Sequence, residues 1–129
     1  MDYDYFVRQV IHQYLDLFGA DQEQWSIGDV LNVCKYFFME YKQHRGVEHP
    51  HLSNQSIRKI IQALPDLGNS LSVYGLELYE GLELVPDSYP WMIDKYFEDI
   101  ERKPNINPTI SHFFSGNIRA IRYAEYLRH

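Results

Sequence analysis

The chain has 129 residues, 45% of them hydrophobic and 23% charged, with a formal net charge of −6. A chain of this size can bury roughly two thirds of its unfolded surface in one domain without disulfides or metal, and its composition excludes an intrinsically disordered protein. Residues 1–100 hold 7 Lys and Arg against 16 Asp and Glu, whereas residues 101–129 hold 5 against 2, which excludes a uniformly basic nucleic-acid binder but not a polarised molecule.

The single cysteine, Cys34, rules out an internal disulfide and fits a reducing compartment, so a cytoplasmic location is expected. The amino terminus MDYDYF opens with acids rather than a basic leader. No apolar run approaches the ~18 residues a membrane span requires.

From Tyr3 to Phe18, apolar residues at Phe6, Val7, Val10, Ile11, Tyr14, Leu15 and Phe18 recur at helical spacing, and Gly19 offers a left-handed stop. Ser26 and Asp29 form a capping-box pattern before a long second helix. Its stripe is Val30, Val33, Cys34, Phe37, Phe38 and Tyr41, and it ends near Gly46. A third helix begins at the Ser53 cap, with Leu52 and Ile57 placed as a hydrophobic staple. Ile57, Ile60, Ile61 and Leu64 face inward, and Pro65 stops it.

Between Leu71 and Val85 the period changes to alternation, interrupted at Gly75 and Gly81, which predicts a small β-hairpin; Leu76, Tyr79 and Leu82 would also suit a short helix. Pro90 suits the first turn of a helix that runs to about Arg102 through Met92, Ile93, Tyr96, Phe97 and Ile100. After the linker KPNINP, Asn107 and Pro108 restart a helix through Ile110, Phe113 and Phe114, which the Ser115-Gly116-Asn117 step bends before Ile118–Leu127. The expected fold is one mainly α domain over residues 1–129, with five to six helices and a small hairpin.

Three helices followed by a hairpin resemble a winged helix-turn-helix over residues 3–85, with residues 88–129 as added helices. The run LSNQSIRKIIQAL is similar in character to a recognition helix. That resemblance implies DNA reading by Gln55, Arg58, Lys59 and Gln62, whose side chains suit base edges. Ordinary solvated helix positions account for them more simply. The expected wing carries Glu77, Glu80 and Glu83, which would repel phosphates.

Acids accumulate from Glu77 through Glu80, Glu83, Asp87, Asp94 and Glu98 to Asp99 and Glu101, against Lys95 alone. Such a face either solvates the domain or engages a basic surface, including the nucleic-acid channel of another protein, by imitating phosphates. Arg119, Arg122 and Arg128, interleaved with Tyr123 and Tyr126, offer forks for phosphate or carboxylate. They suit equally an intramolecular role, pairing with Glu125 or with the acids of the preceding helix.

The stretch HRGVEHPH concentrates three histidines. His44 belongs to the last turn of the second helix, while His49 and His51 flank Pro50 on one side of an extended link. They are weak metal candidates, because zinc needs three or four ligands, with Glu48 or His44 folding back. Cys34 lies on an apolar stripe, His112 beside Phe113 and Phe114 reads as a core-edge residue, and no catalytic, phosphate-binding or paired-cysteine motif occurs. No cofactor and no enzymatic activity are expected. The expected role is a non-enzymatic adaptor acting through protein contacts, as suits an accessory protein of a bacterium, phage or mobile element. A DNA-binding regulator and a nucleic-acid-mimicking inhibitor are the alternatives.

Overall fold

A computed structural model describes residues 1–20, 25–66, 84–115 and 117–129. Short polar side chains set most of the helix starts. α1 (Tyr3–Phe18) begins where the Asp2 carboxylate accepts the Tyr5 amide at 3.1 Å, and it ends at Gly19, whose φ of 63° suits a residue without Cβ. α2 (Ile27–Arg45) carries the expected capping box: the Asp29 amide donates to Ser26 Oγ and the Ser26 amide to Asp29 Oδ2, both at 3.0 Å. Gly46 closes α2 in the left-handed conformation, and Lys42, His44 and Arg45 place basic side chains against the negative end of its dipole. α3 (Asn54–Ala63) starts at Ser53, whose hydroxyl accepts the Ser56 amide at 3.1 Å.

Pro86 opens a turn of 3-10 helix, Pro86–Ser88, that leads into α4 (Tyr89–Ile100) with Pro90 in its first turn. α5 (Ile110–Phe113) and α6 (Ile118–Arg128) follow. Six α-helices and this single 3-10 turn are the regular structure among the described residues, so the chain is mainly helical. Of the hairpin expected over 71–85, all but Leu84 and Val85 lie outside the described residues.

One hydrophobic cluster takes side chains from all six helices. Phe37 lies at its centre, with ring centroids 5.9 Å from Tyr96, 5.1 Å from Phe97 and 5.6 Å from Phe113. α2 is thereby bound to α4 and α5 through tilted ring pairs, each contributing about 0.5–1.5 kcal/mol beyond area burial. Trp25 joins the other end. Its Nε1 donates to the Leu84 carbonyl at 2.7 Å, its own carbonyl accepts from the Tyr14 hydroxyl at 2.5 Å, and its ring meets Tyr89 edge-on at 5.5 Å. The Leu84 amide in turn donates to the Pro65 carbonyl at 3.0 Å, so the chain re-enters the core beside the end of α3.

Two expectations are corrected. The buried face of α1 is narrower than its apolar stripe: Phe6, Val10 and Tyr14 are buried, but Ile11 and Leu15 are 38% and 47% exposed. α1 lies against α2 and α3 at the surface, and a helix packed from one side covers little more than one row. The carboxy-terminal restart is capped by Thr109 and not Asn107. The Thr109 hydroxyl accepts the His112 amide at 3.2 Å, while Asn107 Oδ1 is taken by the Tyr41 hydroxyl at 2.8 Å. α5 stops after one turn instead of bending into α6.

Candidate functional site

Side chains of α2 at helical spacing, Asp29, Asn32, Val33 and Tyr36, face Pro86, Asp87, Pro90 and Ile93 across a groove with a cavity of about 260 Å³. The two prolines shape its far wall, since Pro86 and Pro90 each open a helical turn and fix the approach of α4 to α2. Val33 and Ile93 are buried and form an apolar floor. The rim is acidic. Asp29 is held by the Ser26 amide, Asp87 is exposed, and Asp94 accepts from the Tyr36 hydroxyl at 2.5 Å.

Carboxylates crowd this edge. Burial and the neighbouring Asp94 raise the Glu40 carboxyl above its usual range. Burial, the hydrogen bond to Asp94 and the charges of Asp94 and Glu40 all raise the Tyr36 phenol. Small-molecule sites usually enclose ~300–1,000 Å³, so this groove suits a single long side chain better than a whole metabolite.

Of the acidic residues singled out in the sequence, Asp87 lines the groove, Asp94 stands at its edge, and Glu98 lies further along α4 paired with Lys95 at 3.2 Å. Glu77, Glu80 and Glu83 lie outside the described residues. Sequence reasoning missed the α2 half of the site: Asp29, Asn32, Tyr36 and Glu40. Their signal was the same helical spacing, on the flank of the apolar stripe.

The α3 residues divide. Gln55, Lys59 and Gln62 are exposed, whereas Arg58 turns to α1 and donates to Asp16 at 2.6 Å and Gln13 at 3.0 Å. Lys59 borders a second groove of about 440 Å³, between α3 and the α5 region, with Ser56, Ser111, Ser115 and Phe114.

The carboxy-terminal arginines do not form one exposed basic face. Arg119 is 7% exposed; its guanidinium donates to the carbonyls of Ala63 and Asp66 and to the Tyr89 hydroxyl, and it lies over the Phe114 ring at 4.7 Å. Arg122 pairs with Asp99 of α4 at 2.5 Å and, at helical spacing, with Glu125 at 2.8 Å. Arg128 is exposed. The inward turn has a physical cause: α3 ends before Pro65 without a glycine cap, and Arg119 supplies donors to the Ala63 carbonyl of its last turn and to that of Asp66 just beyond.

His49 and His51 do not share a side of the link. His49 is 1% exposed and encircled by Phe37, Phe38 and Tyr41, with Nε2 accepting the Ile110 amide at 2.9 Å and Nδ1 2.8 Å from the Pro50 carbonyl. Both nitrogens are engaged, so the ring has no lone pair for a metal. Exposed His51 lies against Tyr5 instead. Cys34 is fully buried, and burial pushes its thiol up to about 12, which removes it as a nucleophile at neutral pH. Among the described residues no three His, Cys, Asp or Glu side chains gather as a metal site requires, and no helix is long and apolar enough to cross a membrane.

The chain matches no protein-family model, no curated protein and no solved structure.

Proposed function

We propose that the chain is a non-enzymatic binding module that acts through protein–protein contacts, in an accessory role. The observation that carries this reading is the groove between α2 and α4, with an apolar floor of Val33 and Ile93 under a rim of Asp29, Asp87 and Asp94. Apolar area supplies affinity, and a one-signed rim steers a partner of opposite charge. Immobilised protein incubated with nuclease-treated lysate of its native host is expected to retain a protein partner by direct contact, detected by cross-linking and mass spectrometry. Retention of no protein, or of protein only from lysate whose nucleic acid is left undigested, would overturn the reading.

A second reading, DNA recognition by α3 in a winged-helix arrangement, is favoured by Gln55, Lys59 and Gln62 sharing an exposed side. It is weakened by the capture of Arg58 by Asp16 and by the net charge of −6. It requires a salt-dependent shift of duplex DNA that disappears in Lys59→Ala; no shift at low salt removes it.

A further inference from the structure

We propose that the groove between α2 and α4 docks a basic peptide segment of a protein partner, anchored by an arginine whose stem lies on Val33, Pro90 and Ile93 and whose guanidinium meets Asp87 and Asp94. This rests on the binding-module reading and names the chemistry of the partner.

Three features favour this occupant. The cavity of about 260 Å³ admits a side chain and not a folded element. Its lining contributes Asp29 and Asp87 with no Lys or Arg, and Asp94 adds charge beside Tyr36. Carboxylates of α2, the 3-10 turn and α4 thus line or border one groove whose lining holds no Lys or Arg, and a cation from outside complements them. Burial, with the Asp94 charge beside it, raises the Glu40 carboxyl at the same edge. Arginine suits the site better than lysine. Its planar fork can take two carboxylate oxygens at once, its weaker hydration lowers the cost of entry, and it stacks on an aromatic face such as that of Tyr36. The neighbouring exposed Val85 extends the apolar surface beyond the cavity for a second contact.

The test uses the full chain and a short fluorescent peptide of alternating arginine and alanine, with lysine and glutamate counterparts, followed by fluorescence anisotropy and by amide chemical shifts. The arginine peptide is expected to bind more tightly than the lysine peptide and to shift amides of residues 29–40 and 86–94. Asp87→Asn combined with Asp94→Asn preserves side-chain size and an acceptor for Tyr36, and is expected to weaken binding about tenfold or more. Helix content by circular dichroism should be unchanged. Equal binding of the glutamate peptide, undiminished binding by the double variant, or shifts confined to other helices would overturn the docking site. Concentration-dependent dimers that the same variant dissolves would overturn it too, by making a second copy the occupant. If the peptide fails while the protein still retains a protein partner from host lysate, the groove falls and the binding-module reading stands; if both fail, both fall.

Discussion

The imidazole of His49 has one tautomer open to it. The Ile110 amide is a donor and requires a lone pair on Nε2, so the proton sits on Nδ1 and donates to the Pro50 carbonyl. Protonating Nε2 would set two N–H groups against each other inside a cage of Phe37, Phe38 and Tyr41. Burial, reinforced by the positive amino terminus, accordingly lowers its pKa below the ordinary 6.5. Because the folded pKa lies below the unfolded one, the unfolded chain binds more protons between the two. The stability that neutral His49 contributes is therefore complete above about pH 6.5 and is lost as pH falls toward the folded pKa. Urea midpoints measured from pH 7.5 to 5 should fall for the wild type, at about 1.4 kcal/mol for each pH unit of depression. His49→Gln, which keeps an acceptor but does not titrate, should be less stable at pH 7.5 and lose less on acidification. Parallel curves for the two proteins would refute this role. Nothing in the spacing HRGVEHPH distinguished His49 from His51. The partner of His49 is an amide 61 residues away, and only the packing of α5 beneath α2 reveals it.

At the scale of elements, starts and stops were easier to read than faces. The Ser26–Asp29 box and the Ser53 cap are local chemistry written within four residues, and both occur as the sequence predicts. The burial of Ile11 and Leu15 was not local, because it depends on how many neighbours α1 acquires. The stop of α3 before Pro65 was legible, but the groups that bind the carbonyls at its end were not, since they come from other helices. Arg119 bonds to Ala63 and Asp66, and the Tyr89 hydroxyl bonds to the Leu64 carbonyl at 2.5 Å. Arg119→Lys keeps the charge but loses the fork, and is expected to cost about 2–4 kcal/mol in urea unfolding. Amide exchange should accelerate at Leu64, whose N–H bonds to the Ile60 carbonyl in the last turn of α3. Unchanged exchange there would refute the capping role. For the candidate site, α4's acids were visible as a charge run, whereas Asp29, Tyr36 and Glu40 are separate polar positions until α2 and α4 come together.

One cluster joins six helices through Phe37, and among the described residues no set of helices keeps a core of its own. Unfolding should then be a single cooperative event. Far-ultraviolet circular dichroism and the fluorescence of Trp25 and Trp91 should report coincident urea transitions. Phe37→Ala should lower stability by about 3–5 kcal/mol and keep the transitions coincident; separation of the two signals would show that the carboxy-terminal helices fold independently. The mainly helical class followed from hydrophobic period alone. The polarity of the molecule did not, because two of the three carboxy-terminal arginines are used internally and only Arg128 remains exposed.

The same Arg119 contact has a consequence for synthesis. A ribosome makes α1, α2 and α3 first, and each can form its turns as it emerges, with the Ala63 carbonyl already taking the Asp66 amide, but the guanidinium that binds the Asp66 carbonyl and adds a second donor to Ala63 lies 53 and 56 residues downstream. At about 5–20 residues per second, that leaves several seconds in which the amino-terminal helices are present without the contacts that α4, α5 and α6 bring. During that interval the nascent chain exposes the apolar surface that the later helices cover, which makes it a transient client for holding factors and the stage at which misassembly is most easily begun.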